Sequence, residues 1–246
     1  MQLKSWIKST LSRLGLDVRY AEKHDALQMQ RRLLAGLDVK VAIDGGAYHG
    51  EWASYYLQHF ASAKVYMFEP FPASQAVLKE TLGTNPRAHL IPAALGQQCE
   101  RRTLYVNQLA ATNSLFQTSS GAGEKHPDPN WMKPAGTEEI DVTTLDRFCE
   151  SQNIARVNIL KLDVQGAELL ALKGGEGLLS RGAIDVIYLE MQFTQQYEGQ
   201  AWHFEIAKYL HDLQYELFGV YNLSVMQSGQ MVQADAIFRR REAAAP

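Results

Sequence analysis

Cysteine is scarce: Cys99 and Cys149 are the two in 246 residues, and no C-x-x-C pair or Cys/His ligand spacing accompanies them. That excludes a disulfide framework and a zinc site, and it suits a reducing cytoplasmic compartment. No stretch reaches the roughly 18 consecutive apolar residues of a membrane span. A large excess of one charge sign is missing too. The formal net charge is -3 with 21% charged residues, which gives no electrostatic basis for binding nucleic acid. The triple arginine Arg239–Arg241 reads as a solvated end. Also absent is the G-x-G-x-x-G spacing of a dinucleotide loop.

What is present is a globular composition, 46% apolar, in a chain long enough for one large domain. At the N-terminus, Leu3, Trp6, Ile7, Leu11 and Leu14 recur at helical spacing, with Lys4, Lys8 and Arg13 on another face. Polar residues interrupt every apolar run there, so the segment does not read as a signal peptide. A helix packed on the domain or a partner is expected, and a membrane-surface helix is the alternative.

From residue 40 onward, strand and helix patterns alternate. Strands are expected at 40–44, 64–69, 88–91, 156–164 and 183–191. Helices are expected from Gly50 to Phe60, from Pro72 to Gly83, over 143–153 and from about Gly166 to Lys173, with Ile206, Leu210 and Leu213 marking another. An extra strand at 102–107 looks like a hairpin partner. Residues 117–137, rich in Ser, Gly and Pro, read as a long irregular loop. Two late strands, 215–221 and 235–240, are joined by a turn near Gly229 that is too short for a crossover helix. One of them must therefore run antiparallel. The expected fold is an α/β, Rossmann-like, doubly wound sheet of seven mostly parallel strands with one antiparallel strand near the C-terminus.

In such a sheet, ligands bind at the carboxyl ends of the strands. Asp44 ends the first strand, and Gly45, Gly46 and Gly50 punctuate the loop that follows. The pattern is Asp-x-Gly-x-x-x-Gly. Glycines let backbone approach a ligand, and loop amides beside a helix start favour carboxylate or phosphate. An acid at the strand end can hold an ammonium group, and Glu69, ending the next strand, can take both hydroxyls of a ribose. S-adenosylmethionine carries an ammonium, a carboxylate and a ribose. NAD would use the same Glu69, but the loop spacing and the late hairpin favour the methyl donor.

The segments "IDGGAYHGEW" (43–52), "MFEPFP" (67–72), "VTTLDRF" (142–148), "ILKLDVQGAELLALKGG" (159–175) and "IYLEMQ" (187–192) resemble, in order, the FkbM-type class I methyltransferases. The resemblance implies a methyltransferase domain over 39–246, with an irregular insertion at about 102–140, preceded by a helical extension over 1–38. It departs from the family pattern where Gly45 and Tyr48 replace Val and Asn, and where Gln165 replaces Glu.

Carried over by position, the resemblance implies that Asp44, Gly45, Gly46, Ala47 and Tyr48 line the methionine end of the cofactor. Glu69 meets the ribose, and Pro70, Phe71, Ala94 and Leu95 border the adenosine. Ser114 approaches from above, with Asp163 and Gln165 beside the reacting centre. Asp163 is the first candidate proton acceptor and Glu190 the second; each can equally be structural. His49, Asn113, Trp131 and Gln192 are the candidate acceptor contacts, and no metal is expected. The implied reaction is S-adenosylmethionine-dependent O-methylation of a hydroxyl on a sugar, glycan or secondary metabolite, with homo-oligomerisation open. A non-catalytic binding module is the alternative, motivated by Tyr48 and Gln165, and a nicotinamide dehydrogenase ranks below both.

Overall fold

The computed structural model describes residues 25–122, 130–226 and 228–241. The amphipathic pattern from Leu3 to Leu14 lies outside them. Its central feature is a seven-stranded sheet in the order β3-β2-β1-β7-β8-β10-β9. The strands are β1 (Val41–Gly45), β2 (Lys64–Phe68), β3 (Ala88–Ile91), β7 (Val157–Leu162), β8 (Ile184–Gln192), β9 (Tyr215–Val225) and β10 (Met231–Arg240). Strand β10 pairs antiparallel with both β8 and β9, so it is the reversed strand, inserted between two that run with the rest. Every residue of β7 is buried, as expected of a central parallel strand covered on both faces.

Helices cover both faces. On one side lie α1 (Ala26–Leu33), α2 (Glu51–His59) and α3 (Pro72–Leu82), packed through Leu34, Trp52, Tyr56 and Leu78. Gln30 of α1 is fully buried, and its Oε1 accepts from Trp52 Nε1 (3.1 Å) and Tyr56 OH (2.8 Å), which ties α1 to α2. On the other side lie α4 (Leu145–Ser151), α5 (Glu168–Lys173), α6 (Glu176–Ser180) and α7 (His203–Asp212), packed through Leu145, Leu172, Leu179 and Leu210. Helix α3 carries proline in its first turn, where no intrahelical N–H is needed. The Thr144 hydroxyl caps α4 by accepting from Arg147 N at 3.1 Å.

The structure differs from expectation in the middle of the chain. Within residues 102–140, the expected strand at 102–107 is present, and a second, unanticipated strand starts at Pro134. Strands β5 (Glu100–Asn107) and β6 (Pro134–Thr143) form an antiparallel ribbon, and β4 (Ala94–Leu95) adds to β6 in parallel to make a second sheet. The expected loop at 117–137 therefore ends at residue 133. Seven of the ten β6 residues, Pro134 to Glu139 and Asp141, are exposed, so most of this strand lacks the apolar alternation that reveals strands. At the C-terminus, Arg239 and Arg240 lie within β10: Arg239 pairs with Glu216 and Arg240 donates to the Gly182 carbonyl. Arg240 is exposed and Arg239 half-buried, so both are surface side chains tethered by these contacts. Both cysteines are free thiols, with Cys149 buried. No helix among the described residues is long and apolar enough to cross a membrane.

Candidate active site

A cavity of about 450 Å³ opens at the carboxyl ends of the parallel strands, a size typical of small-molecule sites. Its floor runs from Glu69 after β2, across the loop after β1, to Lys161–Gln165 at the end of β7 and on to Glu190 of β8 and Asp235 of β10. Asp25 to Leu27 at the start of α1 form one wall. The second sheet and the turn at Ala110–Thr112 form the roof.

Loop 46–50 is shaped by close approach. Gly46 adopts φ +74°, and a Cβ there would sit 1.9 Å from the Asp163 carbonyl oxygen. Only glycine fits both the dihedral and the space. The Gly46 and Ala47 amides both donate to Phe68 O, which clamps the loop to the end of β2. Tyr48 takes φ +49°, a left-handed conformation that asparagine accepts more readily than a bulky aromatic. Its ring stacks on His49, centroids 3.7 Å apart.

Glu69 is buried, and both carboxylate oxygens accept backbone amides: Oε2 from Tyr48 N (2.8 Å) and Oε1 from Phe71 N (2.9 Å). Each oxygen keeps a lone pair for a ligand hydroxyl. Burial pushes its pKa up to about 7, partly offset by those two amides.

The expected ammonium ligand, Asp44, stands behind the cavity wall. It is fully buried, and the cavity reaches the neighbouring Lys161 instead. The two residues are register partners on β1 and β7. Lys161 Nζ donates to Asp44 Oδ1 at 2.9 Å and to Gly46 O at 2.8 Å. A third N–H remains, with Asp163 Oδ2 at 3.9 Å. Burial disfavours the Lys161 charge, but Asp44 and Asp163 outweigh it and raise the pKa, so the ammonium persists. Burial raises the Asp44 pKa, and Lys161 works against that rise. Asp44 Oδ2 has no hydrogen-bond partner among the described residues.

Asp163 directly follows β7 with its side chain 45% exposed. Gln165 holds it, donating from Nε2 to Asp163 Oδ1 at 2.7 Å while its own Oε1 accepts from Tyr197 OH at 2.7 Å. Gln165 sits at φ +54°, followed by Gly166 at +93°. Buried Glu168 stabilises this turn: its Oε1 accepts from Val164 N (3.0 Å) and Gly166 N (3.3 Å). Ser114 Oγ ties the roof to the same turn by donating to Gln165 O at 2.6 Å. The Asp-x-x-Gly-x-Glu run is thus a built turn that presents Asp163.

Of the anticipated residues, the cavity brings together Gly46, Ala47, Tyr48, Glu69, Pro70, Ala94, Leu95, Asn113, Ser114, Asp163, Gln165 and Glu190. Asp44, Gly45, His49, Phe71, Trp131 and Gln192 do not line it. Gly45 is enclosed by Leu162 and Leu95, and Phe71 contributes through its amide to Glu69. The Trp131 carbonyl accepts from Thr112 Oγ1 at 3.1 Å. Gln192 is buried and donates to Glu190 Oε2 at 2.6 Å. Sequence reasoning passed over Lys161, Tyr188, Asn222 and Asp235. A lysine inside the apolar run "NILKLDV" was the available signal for the first. The others meet only because β10 lies beside β8.

The Methyltransferase FkbM domain profile matches residues 44–217, so the chain belongs to this family. It is 25% identical over 184 residues to the 2-O-methyltransferase NoeI of Sinorhizobium fredii, covering 71% of this chain and 73% of that protein. It is 27% identical over 150 residues to Methyltransferase 1 of Beauveria bassiana, covering 56% and 59% respectively. Among solved structures, a methyltransferase FkbM from Methylobacillus flagellatus aligns with TM-score 0.50 and 17% identity over 82% of this chain. That match spans 45% of the solved chain and bears on the fold. Membership makes S-adenosylmethionine the cofactor, and the Glu69 cradle, the Gly46 approach and the Lys161 ammonium fit its ribose, backbone and carboxylate.

Proposed function

We propose that this FkbM methyltransferase methylates a hydroxyl oxygen on a sugar, glycan or small metabolite, with Asp163 accepting the hydroxyl proton. The carrying observation is the placement of Asp163. It is half-exposed on the cavity floor between the Glu69–Gly46 cradle and the Glu190–Asp235 end, and Gln165 and the Glu168-braced turn fix it. The name of the NoeI relative supports oxygen as the methylated atom.

The cofactor supplies a methyl group already activated by its sulfonium, so the protein has to align the partners and remove a proton. Glu69 would hold the ribose hydroxyls, Ala94 and Leu95 would back the adenine, and Lys161 would meet the methionine carboxylate. Asp163 is a better proton acceptor than Glu190. Burial, with Asp163 and Glu168 nearby, raises the Glu190 pKa well above its ordinary value, which favours its protonated form over a free carboxylate. Glu190 then orients the acceptor.

Asp163→Asn tests this. Losing a positioned general base costs about 10²–10⁴-fold in rate. The expected result is a kcat fall in that range with S-adenosylmethionine affinity held within about threefold, the split that separates chemistry from binding. Equal loss of both would make Asp163 a cofactor ligand. Cofactor binding without transfer to any hydroxyl would favour the binding-module alternative.

A further inference from the structure

The charge of the cavity is lopsided. Its described lining carries six carboxylates, Asp25, Glu51, Glu69, Asp163, Glu190 and Asp235, against one basic side chain, Lys161. Lys161 is already committed to Asp44 and Gly46. The imbalance concentrates at one end. Glu190 and Asp235 are register partners across the antiparallel β8–β10 pair, so their side chains lie side by side on one face.

Both carboxylates are held by neutral donors. Glu190 accepts from Gln192 Nε2 at 2.6 Å and from Gln233 Nε2 at 2.5 Å. Asp235 Oδ2 accepts from Tyr188 OH and Asn222 Nδ2, each at 2.6 Å. Among the described residues, no lysine, arginine or histidine pairs with either. Behind this pair, Gln192 is 2% exposed, and its Oε1 has no partner among the described residues. This corner therefore has acceptors in excess and lacks a cation.

The corner is also distant from the nucleoside cradle. Glu69 follows β2, and the order β2-β1-β7-β8-β10 puts three strand spacings between it and Glu190 and four between it and Asp235. At about 4.8 Å per spacing, that is about 14 and 19 Å. Asp163 lies between. A cofactor reaching from Glu69 to Lys161 leaves the β8–β10 end for the acceptor.

We propose that the β8–β10 end of the cavity is the acceptor subsite and that it takes the ammonium group of an aminated hydroxyl compound, an amino sugar or amino alcohol. This rests on the methyltransferase reading above and narrows its substrate class. An ammonium brings three donors and a positive charge to Glu190 and Asp235. A carboxylate or phosphate on the acceptor would meet acidic groups and no cation at this end. Burial favours the protonated form of Glu190 and raises the Asp235 pKa, with Asp163, Glu168, Tyr188, Tyr197 and Lys161 the other ionisable groups around them. An arriving ammonium displaces that proton.

The test is calorimetric. The protein is first saturated with S-adenosylhomocysteine, then titrated with glucosamine, glucose and glucuronate in buffers of different ionisation enthalpy. Glucosamine is expected to bind at least about tenfold tighter than glucose, an amount one partly desolvated charge pair supplies, with glucuronate weakest. Glucosamine binding should release a proton. Asp235→Asn and Glu190→Gln should each shrink the glucosamine–glucose ratio, and S-adenosylhomocysteine binding reports that each variant is folded. Glucuronate binding as well as glucosamine, or no binding of all three, overturns the proposal. Failure of S-adenosylhomocysteine itself to bind overturns the cofactor reading, and this inference falls with it.

Discussion

Lys161→Met isolates the buried ion pair under the cofactor loop. Asp44 has no exposed surface, one oxygen bonded to Lys161 at 2.9 Å and the other without a partner among the described residues. At an effective dielectric of 20, opposite charges at that distance attract by about 6 kcal/mol, which is a ceiling. Breaking a buried pair while leaving its partner costs about 3–5 kcal/mol. We therefore expect Lys161→Met to lower unfolding stability by about 3–5 kcal/mol in urea titrations at pH 8.

The pH dependence gives a sharper check. Without the ammonium, the Asp44 pKa rises further above its unfolded value of about 3.9. A carboxyl group raised in the folded state contributes most below its unfolded pKa and loses that contribution as pH rises through its folded pKa. The variant's deficit should accordingly be smaller at pH 5.5 than at pH 8. Lys161 contributes a constant, because its folded and unfolded pKa values both lie above this window. The double variant Asp44→Asn/Lys161→Met, which leaves no buried charge, should be more stable than Lys161→Met alone. A deficit under about 1 kcal/mol, typical of a surface pair, or one independent of pH, would refute the argument.

Three further outcomes are expected. Burial pushes the Glu69 pKa up to about 7, and its ionised form is the better acceptor for ribose hydroxyls. S-adenosylhomocysteine affinity should therefore fall below neutral pH, approaching about tenfold per unit, and Glu69→Gln should flatten that profile; a flat wild-type profile counts against the ribose assignment. Gly46→Ala combines a left-handed dihedral, about 1–3 kcal/mol, with a clash into the Asp163 carbonyl, so a large fall in urea midpoint is expected. Gly136→Ala is the control: a Cβ there meets nothing within 4 Å, and its effect should stay within about 0.5 kcal/mol. Tyr48→Asn places a residue tolerant of left-handed backbone at φ +49° and should raise Tm by about 2–4 °C; an unchanged or lower Tm means the Tyr48–His49 stack outweighs the strain.

Elements whose signals are local were legible in the sequence. Alternating apolar strands, Pro72 and Thr144 at helix starts, the glycine turn after Asp44 and the acid ending β2 are all encoded within a few neighbouring residues. They located the sheet, the glycine loop after β1 and Glu69, and the "LKLDVQGAEL" run located Asp163. Strand β6 was missed because its solvent-facing residues carry no apolar period; it exists through pairing with β5. The role of Asp44 also needed the fold. The acid is visible at the strand end, but its partner Lys161 is 117 residues away, and only the β1–β7 register brings them together.

The sequence by itself determined the family, the α/β order and the residues after β1, β2 and β7, because contacts within a strand–turn–helix unit depend on short-range spacing. Only the tertiary structure decided which of them face the cavity. It turned Asp44 inward against Lys161, gave Gln165 its place between Asp163 and Tyr197, and set Asp235 beside Glu190. Those outcomes depend on strand register and on the reversal of β10, which long-range packing selects and no local pattern records.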